Sequence, residues 1–201
     1  NYDGELILQN PDGRSETLYA GEEIVDYAWF NDGQHILIFL RNNASLFAAV
    51  FTLETTEFTE LDMDEFSLKS YQHLDLGSMT QDDQKAVLAY GHCLGILHIQ
   101  PVEVEEISCF EPLEDNEGNQ ISSGITYLNP VFSSADDEIL VTSATKENAQ
   151  ITLFPLIGDV TEPESLGCCF YPQMSNDGLS VYTYANAVFQ PEVFIDEECP
   201  Q

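Results

Sequence analysis

The stretch Ala28-Trp29-Phe30-Asn31-Asp32-Gly33-Gln34-His35-Ile36-Leu37-Ile38-Phe39 decides the fold. It reads as an apolar strand end, a short polar turn around Asp-Gly, and a strand of aliphatic and aromatic residues. The same pattern returns at Ser78–Ala89, Val131–Thr142 and Gln173–Tyr184. The acids taken as equivalent are Asp32, Asp82, Asp136 and Asp177, at spacings of 50, 54 and 41 residues. A repeat of roughly 40–50 residues is the size of one propeller blade of four strands. Asn-Asp-Gly tolerates positive φ and closes a tight hairpin, and the Asp can cap its own turn through backbone N–H groups.

A second hairpin follows each of the first three units. It is expected at Ser45–Leu53 with Phe58–Leu61, at Leu94–Gln100 with Val104–Phe110, and at Gln150–Pro155 with a weaker Glu164–Leu166. The N-terminus carries such a hairpin alone: Glu5–Gln9, the turn Asn10-Pro11-Asp12-Gly13, then Ser15–Tyr19. The C-terminal unit continues with Val188–Ile195. No segment holds a sustained helical spacing of apolar residues. The acidic stretch Glu111–Ser123 reads as a loop insertion that lengthens one repeat.

The fold expected is therefore all-β: a propeller of four-stranded antiparallel blades, about four in number, or an arc of a larger propeller. The 201 residues form a single domain with units at 1–21 (hairpin only), 22–66, 67–122, 123–166 and 167–201 (partial). In the four-blade version the N-terminal hairpin completes the last blade and removes exposed sheet edges. The chain begins at Asn1 rather than Met, which suggests processing or shortening of a longer protein.

Charge narrows the partners. The chain has 36 Asp+Glu against 5 Lys+Arg and a net charge of −31. Five basic residues cannot neutralise a phosphate backbone, so no nucleic-acid binding is expected through this domain, and an anionic membrane surface is disfavoured. No apolar run is long enough for a membrane helix, so no direct insertion is expected. The acidity reads either as a solvated coat or as a field that recruits a cationic partner or metal ions.

The repeated Asn-Asp-Gly or Asp-Asp turn, followed by an apolar strand and a second hairpin, resembles the TolB-type (WD-repeat-like) β-propeller repeat family. Asn31-Asp32-Gly33 and Ser175-Asn176-Asp177-Gly178 match its Ser-Pro-Asp-Gly hallmark best; Gln81-Asp82-Asp83 and Ala135-Asp136-Asp137 lack the Gly. The resemblance implies one of three settings: a periplasmic binding module, the sensory domain of a CadC-like membrane regulator, or the lid of a serine peptidase. Fold alone does not choose among them.

No Gly-x-Ser-x-Gly elbow, His-Glu-x-x-His, phosphate loop or dinucleotide fingerprint is present. No catalytic residue, cofactor or metal ligand is assigned. His35, His73, His92 and His98 lack metal-ligand spacing and read as packed or surface residues. Asp62-Met63-Asp64-Glu65 and Glu114-Asp115-Asn116-Glu117-Gly118 read as acidic loops rather than calcium loops. Asn43-Ala44-Ser45 is a glycosylation sequon.

Among five cysteines there is no Cys-x-x-Cys. Cys93 and Cys109 flank a hairpin centred on residue 101 and face each other across it. A Cys93–Cys109 bridge is expected in an oxidising compartment; two buried free thiols are the alternative. Cys199 has Cys168 or Cys169 as possible partners.

The leading reading is a non-enzymatic recognition or sensory propeller of a larger, extracytoplasmic protein, binding a protein partner or small ligand. The alternatives are a lid or gating domain of a hydrolase and a structural subunit of an assembly. Loops around Trp29 and 71–76 are the expected ligand-facing segments.

Overall fold

The computed structural model describes residues 4–9, 11–42, 45–63, 74–110, 113–114, 120–121, 126–144, 149–157, 162–168, 170–174, 181–184 and 191–193. Among them there is no helix. A hairpin, β1 (Glu5–Gln9) and β2 (Ser15–Ala20), opens the chain. Blade 1 is β3 (Glu23–Trp29), β4 (His35–Asn42), β5 (Ser45–Thr52) and β6 (Glu57–Leu61). Blade 2 is β7 (Leu74–Met79), β8 (Lys85–Tyr90), β9 (Cys93–Ile99) and β10 (Val102–Cys109). A short pair, β11 (Leu113–Glu114) and β12 (Gln120–Ile121), lies inside the stretch read as an insertion loop. Blade 3 is β13 (Thr126–Phe132), β14 (Glu138–Ala144), β15 (Ala149–Pro155) and β16 (Glu164–Cys168). A three-stranded sheet follows, of β17 (Phe170–Met174), β18 (Val181–Tyr184) and β19 (Pro191–Val193).

Every sheet is an antiparallel meander in chain order. The second strand of each blade explains why the sheets must stack. In β4, Ile36, Leu37, Ile38, Phe39 and Leu40 are all buried, so both faces of the strand are covered. The run Ala86 to Tyr90 in β8 is buried in the same way. Alternating residues point to opposite faces. Leu37 and Phe39 thus meet Leu76, Met79 and Leu88 of blade 2, whereas Ile36, Ile38 and Leu40 meet the opening hairpin through Leu6, Leu18 and Tyr19. Val87 and Ala89 turn to blade 3, where Tyr127, Phe132, Ile139 and Val141 receive them. Leu140 and Ile151 pack toward Val181 of the last sheet. Each buried aliphatic side chain contributes roughly 1.5–3 kcal/mol, so these seams hold the stack together.

The propeller architecture is therefore present, but its ends differ from a closed four-blade ring. Among the described residues β1–β2 is a two-stranded sheet of its own and does not hydrogen-bond with β17–β18–β19. It stacks on the face of blade 1 instead. The sheets form an arc rather than a closed circle.

The innermost strands carry an irregularity in the same region: between Ile24 and Asp26 in β3, Leu76 and Met79 in β7, Leu128 and Val131 in β13, and Phe170 and Gln173 in β17. At the irregularity in β7, blades 2 and 3 approach closely. A Cβ added at Gly77 would stand 1.8 Å from the backbone oxygen of Pro130. Backbone cannot yield as a flexible side chain does, so only glycine fits between blades 2 and 3. Gly77→Ala is expected to lower stability by about 2 kcal/mol or more, read as a fall in the urea midpoint; an unchanged midpoint contradicts this seam.

Candidate functional site

The repeat turns join neighbouring blades. In blade 1, Phe30 N–H donates to the His35 carbonyl (3.0 Å) and Gly33 N–H to the Phe30 carbonyl (3.1 Å). Asp32 Oδ1 accepts from the N–H groups of Gln34 (2.7 Å) and His35 (3.1 Å), and Asp32 Oδ2 lies 2.5 Å from His35 Nδ1. In blade 2, Asp82 Oδ1 accepts from Thr80 Oγ1 (2.7 Å) and Gln84 N–H (3.0 Å). These bonds favour the ionised form. The Gln34 N–H leads in holding the Asp32 carboxyl below its usual range, and the Thr80 hydroxyl leads for Asp82.

Asp136 stands one position later than Asp32 and Asp82. Its N–H donates to the Ser133 carbonyl (3.1 Å), as Gly33 and Asp83 donate to Phe30 and Thr80. Gly33, Asp83 and Asp136 share a left-handed backbone, with φ of 65°, 59° and 57°. The place of Asp32 and Asp82 is taken by Ala135, and the turn is capped differently: Ser133 Oγ donates to Asp137 Oδ1 (2.7 Å). Asp177 lies outside the described residues.

The left-handed acids act across the seam. Asp83 Oδ1 accepts from both the backbone N–H (2.7 Å) and the side-chain amide (2.8 Å) of Asn31 in blade 1. Asp136 Oδ2 accepts from Gln81 N–H (2.8 Å), and the Gln81 side-chain amide donates to the Ser134 carbonyl. Asp83 and Asp136 are thus fasteners between turns.

A second set of fasteners runs along the innermost strands. Asp26 Oδ2 accepts from Leu76 N–H (2.7 Å), Asp75 Oδ2 from Asn129 N–H (2.5 Å), and Ser78 Oγ from Phe132 N–H (2.8 Å). Burial pushes the Asp26 carboxyl up to about 6, with the nearby Asp75 carboxylate adding to the rise. Trp29 and Leu74–Leu76, expected in loops, belong to the inner strands β3 and β7; Leu74 and Leu76 are buried. Residues 71–73 lie outside the described residues.

A concavity lies on the outer side of blade 1, beneath the opening hairpin. This cleft of about 1080 Å³ has an apolar lining that includes Tyr19, Phe47, Phe58 and Met63, and an acidic rim of Glu22, Glu60 and Asp62. Among the described residues no Lys, Arg or His lines it. Tyr19 and Phe58 pack with ring centroids 4.7 Å apart. The Tyr19 hydroxyl donates to Glu22 Oε2 and accepts from Glu22 N–H (2.8 Å). That contact leads in lowering the Glu22 carboxyl, while burial leads in raising the Tyr19 phenol. Asp62 and Met63, read as part of an acidic loop, are cleft residues; Asp64 and Glu65 lie outside the described residues.

Cys93 and Cys109 form a disulfide, with Cα atoms 4.1 Å apart. They pair directly across β9 and β10. The register that places Val102 opposite Ile99 would set Cys93 against Ser108; a bulge between Glu106 and Ser108 moves Cys109 into place. Cys168 is in β16, and Cys169 and Cys199 lie outside the described residues. His98 Nε2 lies 3.2 Å from Glu105 Oε2. His73, Asn43 and Ala44 of the sequon, and residues 115–118 are outside the described residues.

No family model matches the chain, and no curated protein does. Solved structures do. TolB from Acinetobacter baumannii is similar with a TM-score of 0.64 and 14% identity, over 88% of this chain and 41% of that one. The tricorn protease gives 0.59 and 9%, over 84% and 16%. An oligogalacturonate lyase in complex with manganese gives 0.58 and 11%, over 90% and 53%. At such identities the likeness is one of fold: the chain has a TolB-type propeller architecture and spans less than two thirds of each of these proteins.

Asp26 yields a pH test. Its folded value of about 6 exceeds its usual 3.8. The folded chain therefore keeps a proton that the unfolded chain has released. The stability from this group is full below about pH 4 and is lost as pH rises through about 6. In urea melts, wild type should lose on the order of 1 kcal/mol relative to Asp26→Asn between pH 4 and 7, after discounting for partial exposure. A wild-type-to-variant difference that does not vary with pH contradicts it.

Proposed function

We propose that this propeller segment is a recognition module rather than an enzyme, and that it binds a cationic, partly apolar segment of a protein partner, or a small ligand of that chemistry. The cleft under the opening hairpin carries this reading. Its rings offer apolar surface and π faces, and the carboxylates at its rim offer ion pairing to the same ligand. The surplus of 36 acidic over 5 basic residues adds a long-range attraction that raises encounter rates with cations. A location outside the cytoplasm accords with the Cys93–Cys109 disulfide, since such bonds persist in oxidising compartments.

The acidity of the whole surface attracts any cation weakly, so the test must separate the cleft from the coat. A peptide alternating Lys with Leu and Phe is titrated calorimetrically into three proteins. These are the wild type, Glu22→Gln/Glu60→Gln/Asp62→Asn, and a control of equal charge loss, Glu54→Gln/Glu103→Gln/Glu164→Gln. The cleft variant is expected to bind about tenfold more weakly and the control within about twofold of wild type. Equal losses in the two variants, or equally good binding of a Glu-substituted peptide, would refute the assignment.

A further inference from the structure

We propose that Cys93, Cys109 and Glu106 form a thiol-gated site for a borderline divalent cation of the zinc type, closed by the disulfide and opened by a dithiol reductant. The three residues offer ligand atoms that all lie within 4.8 Å of one another. Residues three apart on a regular strand point to opposite faces, so Glu106 and Cys109 have no reason to meet in an undistorted β10. The bulge between Glu106 and Ser108 changes that. Val102 and Val104, in step with Glu106, pack on the same cluster as Cys93, toward blade 1. Ile107 and Phe110 pack on the opposite cluster, toward blade 3, and Ser108 Oγ lies 3.0 Å from Tyr127 OH of that blade. Two successive residues thus turn toward blade 3, and Cys109 returns to the face of Glu106 and Cys93. One irregularity makes both the disulfide and the approach of the carboxylate, as bulges re-aim side chains elsewhere.

Two thiolates and a carboxylate suit a cation that accepts sulfur and oxygen together, with water completing a tetrahedron. Both cysteines are half-buried and Glu106 is exposed, so a path from solvent exists. The surrounding field, from a net charge of −31, favours cations over anions. The chemistry balances. A dithiol transfers two electrons and two protons to the Cys93–Cys109 bond, giving two thiols and the oxidised cyclic disulfide of the reductant. Metal binding then displaces the two thiol protons.

The test uses the chain with Cys168, Cys169 and Cys199 replaced by Ser, so that only this pair reports. It is reduced with a dithiol, freed of reductant under argon, and titrated with Cd²⁺ while the thiolate-to-metal absorption band is followed. One Cd²⁺ per reduced chain and none per oxidised chain is the expected result. Glu106→Gln, which keeps both sulfurs, should weaken binding about tenfold, whereas Glu105→Gln, in contact with His98, should not. Circular dichroism of the reduced metal-free chain should keep its strand signal. The assignment falls if reduction erases that signal, if the reduced chain binds no more Cd²⁺ than the oxidised one, or if Glu106→Gln binds as tightly as its parent.

Discussion

The structure rests on the burial of central strands, the second strand of each blade above all, on both of their faces. A sheet with a single apolar face needs one neighbour; β4 and β8 carry apolar residues at successive positions and need two. Blade 1 is therefore held between the opening hairpin and blade 2, and blade 2 between blades 1 and 3. Hydrogen bonding finishes each sheet within itself, so the cohesion between sheets comes from side chains and from a few polar fasteners.

Those fasteners show how one residue type takes different tasks by position. Asp32 and Asp82 brace their own turns. Asp83 and Asp136, one place later and in left-handed backbone, reach to the preceding blade instead. Asp26 and Asp75 reach the other way, from the inner strands to the following blade, and burial makes the Asp26 carboxylate costly to keep charged. Acid therefore acts in two senses on this fold. It removes the charge from Asp26 at about pH 6, and only at lower pH does it reach the turn carboxylates whose bonds favour ionisation.

The blades, their antiparallel pairing and the facing cysteines were legible in the sequence, because alternation, turn chemistry and hairpin spacing are local signals. What escaped reading was geometry that alternation does not encode. Asp136 was matched to Asp32 by its letter, yet the left-handed turn position accepts Gly and Asp alike, and Ala135 holds the capping place. Asp75 falls in a segment expected to be a loop, and Asp26 carries no turn motif; the packing of the next blade is what half-buries them. The bulge that brings Glu106 beside the cysteines has no glycine or proline within β10 to announce it. The cleft is built from separate strands, so no contiguous motif marks it. Of the two arrangements the repeats allow, a closed four-blade ring or an arc, the structure has the arc: the opening hairpin hides its apolar face on blade 1.

Native-state hydrogen exchange tests the account at its centre. If doubly buried strands hold the stack, the amides of β4, β8 and β14 exchange last, with protection approaching that of global unfolding, while β1, β2 and β6 open earlier. Slowest exchange in the outer strands, or protection spread evenly over all sheets, would contradict a fold organised around those strands.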